Sequence, residues 1–293
     1  LNTLLVHSGA DPDDGFGDLA PPIHQTSTYA PRHPHPLGHY DYSRGANPTR
    51  EAVETAIARL EGGAVGLAFA SGMAAISSTL LLFSPGAHLI ASRDLYGGAY
   101  RALTTLVAQW GLKTSFVDAT DPDALRRAVT PQTRGIYVES PSNPLLRITE
   151  LAAVADLAKA YGLTSIIDNT FMTPVLQRPL ALGFDIVLHS ATKFLGGHSD
   201  LVAGLPSRPT RPRASSSSAS RTPSARCSGR RTAGCSSAAC ARSACAWRPS
   251  RPRPRSWRPG WPRGRRCAAC TIPACPTTPA AASTSARPTA PAR

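Results

Sequence analysis

The chain changes composition abruptly after Leu205, and that break decides which part of it can build a core. From Pro206 to Arg293 every residue except Ile272 is Ala, Pro, Ser, Thr, Gly, Cys, Trp or Arg. A stretch with a single branched aliphatic has too little apolar surface to offset the entropy of ordering its backbone. Its 14 prolines also work against helices and sheet interiors. The net charge of +14 has the same origin, because this stretch holds 18 Arg and no acid, whereas residues 1–205 hold 14 Lys and Arg against 18 Asp and Glu. A folded body is expected in residues 1–205, followed by a disordered tail.

The eight residue types of the tail share codons with C or G at the second base. In a GC-rich gene, a frame displaced by one base moves third-position bases into the second position. That shift removes Val, Leu, Phe, Asp, Glu, Lys, Asn, Gln, His and Tyr together, so residues 206–293 read as out of frame. The rival reading is an arginine-rich tail that binds phosphate non-specifically. The complete lack of lysine disfavours it, and nucleic acid is not expected as a partner. All seven cysteines also lie there. Cys267 and Cys270 resemble half a zinc site, but no second pair or histidine follows, so no metal is expected.

Leu1–His7 has no basic leader with an apolar run behind it. The apolar stretch from Met73 to Phe83 is interrupted by Ser77, Ser78 and Thr79 and is too short to span a bilayer. A cytoplasmic protein without a membrane partner is expected.

Within the body, a loop-like arm precedes a helix from Thr49 to Leu60, where Val53, Ala56, Ile57 and Leu60 recur at helical spacing. Strands are then predicted at 65–70, 88–91, 113–117, 135–138, 165–167 and 186–189. Helices are predicted at 72–82, 98–110, 122–129 and 149–161. Alternation of this kind gives a three-layer α/β fold around a mostly parallel, buried sheet. Ligands of such sheets bind beyond the carboxyl ends of the strands, where Ser71, Glu139, Asp168 and Ser190 fall.

Five segments carry chemistry. Lys193 lies in Ser190-Ala191-Thr192-Lys193 directly after an apolar strand, and the body has only two other lysines. Partial burial there would free its amine for Schiff-base exchange, and Ser190 and Thr192 offer hydroxyls to a phosphate. Asp168 follows Ile166-Ile167 and precedes Asn169-Thr170-Phe171. Such an acid can cap a turn, but if buried it needs a partner, and a pyridinium nitrogen is one. Lysine and acid together are what a pyridoxal phosphate site requires. At Ser71-Gly72-Met73 a helix begins, and its free amides attract an anion. Tyr96, beside Gly97 and Gly98, is either a loop tyrosine or a ring that stacks on a flat heteroaromatic. Tyr42 and Arg44 set a phenol and a guanidinium two residues apart in a loop, suited to phosphate.

In this order the segments resemble the trans-sulfuration family of pyridoxal-phosphate enzymes, the Cys/Met-metabolism group. Matching stretches are 42–50, 70–75, 94–101, 139–144, 168–174 and 189–204. The resemblance implies the fold type I large domain over residues 49–205, with residues 1–48 as an arm reaching a neighbouring subunit. It implies an internal aldimine at Lys193, with Asp168 on the ring nitrogen and Tyr96 stacked on the ring and assisting proton transfer. Gly72, Met73, Ser190 and Thr192 would hold the phosphate, and Tyr42 and Arg44 the phosphate of a second subunit. Asn143 would lie near the cofactor hydroxyl and the substrate carboxylate, and Arg101 near the tyrosine. The implied substrate is a sulfur amino acid or an activated homoserine, and the implied assembly a homo-oligomer, commonly a tetramer. Gly98 stands where methionine γ-lyases typically carry cysteine, which argues against that branch, and the resemblance leans to cystathionine γ-synthase, with a cystathionine β- or γ-lyase as the alternative. The C-terminal domain of the family, with its arginine for the α-carboxylate, has no match in the tail.

Overall fold

The structure, a computed structural model, describes residues 3–4, 20–30 and 40–209. All of them belong to the first of the two units into which the chain divides, Leu1–Arg248. Helix α1 spans Pro48–Glu61. It starts where the Asn47 side chain accepts the Thr49 and Arg50 amides, at 3.0 and 3.4 Å, with Pro48 in the first turn. It ends at Gly62, whose φ of +74° closes the last turn.

The strands are β1 (Val65–Gly66), β2 (His88–Ser92), β3 (Lys113–Val117), β4 (Thr133–Glu139), β5 (Thr164–Asp168), β6 (Ile186–Leu188) and β7 (Ser207–Arg208). They form one sheet in the order β1-β7-β6-β5-β4-β2-β3. The run from β6 to β3 is parallel, and β7 is antiparallel to both β6 and β1.

Helices α2 (Gly72–Leu80) and α3 (Gly97–Arg101) cover one face, where Ile76, Leu80, Ala99 and Leu103 pack on Leu89, Ala91, Tyr137, Ile166 and Leu188. Helices α4 (Pro122–Arg127) and α5 (Leu151–Ala160) cover the other, where Leu125, Leu151, Val154 and Ala158 meet Ile90, Ile136, Val138, Ile167 and Val187. Successive residues of β4 and β5 thus alternate between two buried layers, which is why these strands are apolar almost throughout. The three-layer, mostly parallel arrangement is the one expected.

Four local departures have physical causes. The strand predicted over 65–70 reduces to β1 and an isolated bridge between Phe69 and Gly204. The helix predicted over 98–110 is α-helical only to Arg101, then continues as a π-turn at Ala102–Leu106. There the Thr104 and Thr105 hydroxyls bond back to the Tyr100 and Arg101 carbonyls, at 2.9 and 2.6 Å, and compete with the helical ladder. A short helix α6 (Thr173–Leu176) and a 3-10 turn at Pro179–Leu182 were not predicted. Finally, β7 crosses the boundary set at Leu205, because the Pro206 and Arg208 carbonyls accept the Leu67 and Ala64 amides at 3.0 and 3.1 Å. The body extends at least that far. Residues 210–293, on which the expected disorder falls, lie outside the described residues. Among the described residues no helix is long and apolar enough to cross a membrane.

Candidate functional site

Asn143, Asp168, Ser190, Thr192 and Lys193 lie at or just beyond the carboxyl ends of β4, β5 and β6, and Tyr96 just beyond that of β2. Asp168 ends β5, paired in register with Glu139 on β4 and Leu188 on β6. It is buried and accepts the Thr170 amide at 3.0 Å and the Thr170 hydroxyl at 2.5 Å. Burial raises its pKa, while those two hydrogen bonds and the charge of His189 pull it back. Among the described residues no salt bridge reaches it.

From Asp168 a closed ring of contacts can be followed. The Thr170 hydroxyl accepts the Ser190 amide at 2.8 Å. Ser190 lies so near Gly72 that a Cβ on that glycine would stand 2.9 Å from the serine side chain. Gly72 opens α2, which Ser71 caps by accepting the Ala74 amide at 3.1 Å. A Cβ at Gly98 would meet both the Tyr96 ring and the Met73 sulfur, so those two side chains converge over that glycine. The Tyr96 amide donates to Glu139 Oε2 at 2.7 Å, and Glu139 returns the path to Asp168.

Lys193 stands one turn beyond Ser190, its amide donating to the Ser190 carbonyl at 3.1 Å. With Ala70, Phe171 and Thr192 it lines a cavity of about 970 Å³. Phe171 lies three residues after Asp168, so the turns that follow β5 and β6 both contribute to the wall of that cavity. The expected partial burial of Lys193 is not found. The tight turn closed by the Gly197 amide on the Lys193 carbonyl carries the side chain out of the sheet, and it is exposed. The Thr192 hydroxyl bonds with the Ala203 amide at 3.2 Å, which pins this turn to the returning chain.

Asn143 is half-buried, and its backbone N–H donates to the Glu139 carboxyl. Arg101 ends α3 and is exposed. Tyr42 and Arg44 stand outside the ring of contacts, exposed, with the guanidinium carbon 5.0 Å from the centre of the tyrosine ring.

Two features were given no role in the site from the sequence, although Glu139 was placed among the ligand-facing strand ends. Glu139 is buried and gathers both the Tyr96 and Asn143 amides. An acid after the apolar run Ile136-Tyr137-Val138 is the same signal that singled out Asp168. Behind Asp168, fully buried Glu61 at the end of α1 bonds His189 at 2.5 Å and accepts the Asn169 side-chain amide at 3.1 Å. These partners lie more than a hundred residues apart in sequence, so no local pattern announces the pair.

The sequence profile of the Cys/Met metabolism PLP-dependent enzymes matches residues 2–222. The chain belongs to this family. It is 52% identical over 205 residues to cystathionine beta-lyase MetC of Bacillus subtilis (strain 168), covering 70% of this chain and 53% of that protein. It is 49% identical over 205 residues to cystathionine gamma-synthase/O-acetylhomoserine (thiol)-lyase of the same organism, covering 70% and 55%. The solved cystathionine gamma-lyase of Lactobacillus plantarum, complexed with L-serine, superposes with a TM-score of 0.76 at 40% identity, over 83% of this chain and 64% of that one. The chain spans about half the length of the curated relatives it matches.

The family's cofactor is pyridoxal 5'-phosphate, and the residues present fit it. Asp168 is a buried carboxyl held by neutral donors, the environment that a protonated ring nitrogen completes. Gly72 leaves open the space beside the Ser190 hydroxyl that a side chain would fill, at the amino end of a nine-residue helix. Lys193 supplies an accessible amine on the wall of the neighbouring cavity.

Proposed function

We propose that the chain is the cofactor-binding body of a trans-sulfuration enzyme that acts on sulfur amino acids or activated homoserine, by γ-replacement or elimination. The ring of contacts from Asp168 through Ser190, Gly72 and Tyr96 to Glu139, closed beside the Lys193 turn, carries this reading. Pyridoxal phosphate, when bound, supplies an electron-accepting ring that stabilises negative charge at the substrate Cα.

The protein's own groups divide the remaining work. The Gly72 and Met73 amides, with the Ser190 and Thr192 hydroxyls, bind the phosphate, and the positive end of α2 favours its charge. The Asp168 carboxylate would hold a proton on the ring nitrogen, a pairing that would offset the cost of its own burial. Tyr96, fixed over Gly98, covers the ring face and excludes water there. Lys193 Nζ binds the cofactor aldehyde at rest, then takes up and returns the substrate protons from the wall of the cavity. Asn143 orients the substrate carboxylate, with Arg101 at the rim beyond Tyr96. Exposed Tyr42 and Arg44 serve the phosphate of a second copy, so a homodimer is the smallest complete unit and a tetramer the full assembly.

Relatives that cleave cystathionine and relatives that make it match at almost equal identity, 52% and 49%, so a cystathionine β- or γ-lyase activity is the second reading. Reconstituting the full chain with pyridoxal phosphate tests the first step. A visible absorbance band that disappears in Lys193→Ala is expected, and a band that survives the substitution refutes the role of this lysine. Assays with cystathionine, and with an activated homoserine plus cysteine, then separate the lyase reading from the synthase reading.

A further inference from the structure

Glu139 is used by none of the steps above, yet it is one of the two acids at the heart of the site. It is 6% exposed and lies directly across the strand pair from Asp168. Its side chain reaches two separate loops. Oε2 accepts the Tyr96 amide at 2.7 Å, and the Asn143 amide hydrogen-bonds the same carboxyl. Tyr96 occupies the N-cap of α3, where no side chain from its own loop closes the helix, so Glu139 is the group that holds it. The Tyr96 ring is meanwhile folded onto Gly98 and against Met73. Backbone and ring are thus fixed from opposite sides.

We infer that Glu139 is a positioning residue, a carboxyl clamp that aligns the Tyr96 and Asn143 loops on the cofactor face and tightens when it ionises. This rests on the cofactor reading above and deepens it. The charge balance supports a clamp that responds to pH. Burial, then the neighbouring Asp168, pushes Glu139 up to about 8, against the pull of the two amides. The groups facing it are Asp168 on β5 and Tyr137 on its own strand, with Arg93, Asp94, Asp118 and Arg147 lining the recess behind. Arg147 is already shared between Asp94 at 3.3 Å and Asp118 at 2.6 Å, and Arg93 is exposed. An ionised Glu139 makes charge-assisted bonds to both amides, and a neutral one makes ordinary bonds.

The test is the affinity of the full chain for pyridoxal phosphate, followed by absorbance from about pH 6 to about pH 9 in wild type and Glu139→Gln. Glutamine mimics the neutral acid in shape and cannot ionise. The two proteins are expected to bind alike at the acid end, with the variant about tenfold weaker at the alkaline end, the cost of exchanging charged for neutral hydrogen bonds. A wild-type-to-variant ratio that stays constant with pH overturns the clamp while leaving the cofactor reading intact. Wild-type chain that forms no band removes both.

Discussion

At the scale of single residues, the site stores two carboxyl groups, Asp168 and Glu139, side by side in a buried layer. Both have raised pKa values, Glu139 to about 8, first because burial penalises their charge. The folded state therefore holds protons that the unfolded chain has released between the usual carboxylate range and about pH 8. The sign follows directly: stability is greatest in acid and falls as pH rises through that window. For the cofactor-free chain, thermal midpoints are expected to drop from about pH 5 to about pH 8, and Glu139→Gln should remove much of the drop. A wild-type midpoint that rises over this range contradicts the burial argument. Asp168→Asn separates the two requirements placed on that acid. It should relieve the same penalty in the cofactor-free chain, yet under the proposed function lower turnover about a hundredfold or more by removing the partner of the ring nitrogen. A variant with normal turnover would show that Asp168 only caps the turn at Thr170.

At the scale of elements, the site depends on close backbone approaches, and glycines permit them. A Cβ at Gly204 would stand 2.3 Å from the Ser71 carbonyl oxygen, whereas one at Gly97 would meet nothing. Gly204→Ala must push the Ser71–Gly72 turn away from the Ser190 loop, at a cost of about 1–3 kcal/mol. It should weaken cofactor binding as well. Gly97→Ala is expected to stay within about 0.5 kcal/mol of wild type. Equal midpoints in urea unfolding for the two variants would refute the close packing of that turn. This dependence on approach explains what the sequence made legible. Helical spacing in Val53, Ile57 and Leu60, and apolar runs such as Ile166-Ile167, mark elements whose signals are local. The π-turn after Arg101 was not legible, because Thr104 and Thr105 look like ordinary helix residues until their hydroxyls are seen bonding backwards. Glu139 was placed at a ligand-facing strand end but given no role, for a related reason. Its role lies in the two loops it joins: Asn143 follows only four residues on, but Tyr96 lies 43 residues away.

At the scale of the whole body, the parallel strands and the α1 segment are separate layers that need a link. Among the described residues two kinds of link are present. Side chains make the first, as Glu61 bonds His189 and Asn169 while Val53 and Ile57 pack with Ala191, Leu195 and Leu205, and the backbone of β7, between β1 and β6, makes the second. The second link was hidden by the compositional break at Leu205. Strand pairing uses amides and carbonyls that every non-proline residue carries, so a Ser-Arg pair can complete a sheet without apolar side chains. The side chain of Ser207 adds a hydrogen bond to the Val65 carbonyl, but that bond is long at 3.3 Å. The backbone of this residue, opposite Val187, is what the sheet requires. Two substitutions in the full chain separate these contributions. Ser207→Ala removes the hydroxyl and should cost less than about 1 kcal/mol. Ser207→Pro removes a backbone donor inside a central strand and should cost about 3 kcal/mol. Because β7 also carries β1, the loss should extend to α1, and tryptic cleavage after Arg59 should accelerate with it. Equal stability of the two variants, with no change in cleavage at Arg59, would mean that the Glu61 contacts and the packing of Val53 and Ile57 hold α1 without β7, which is then an accessory edge.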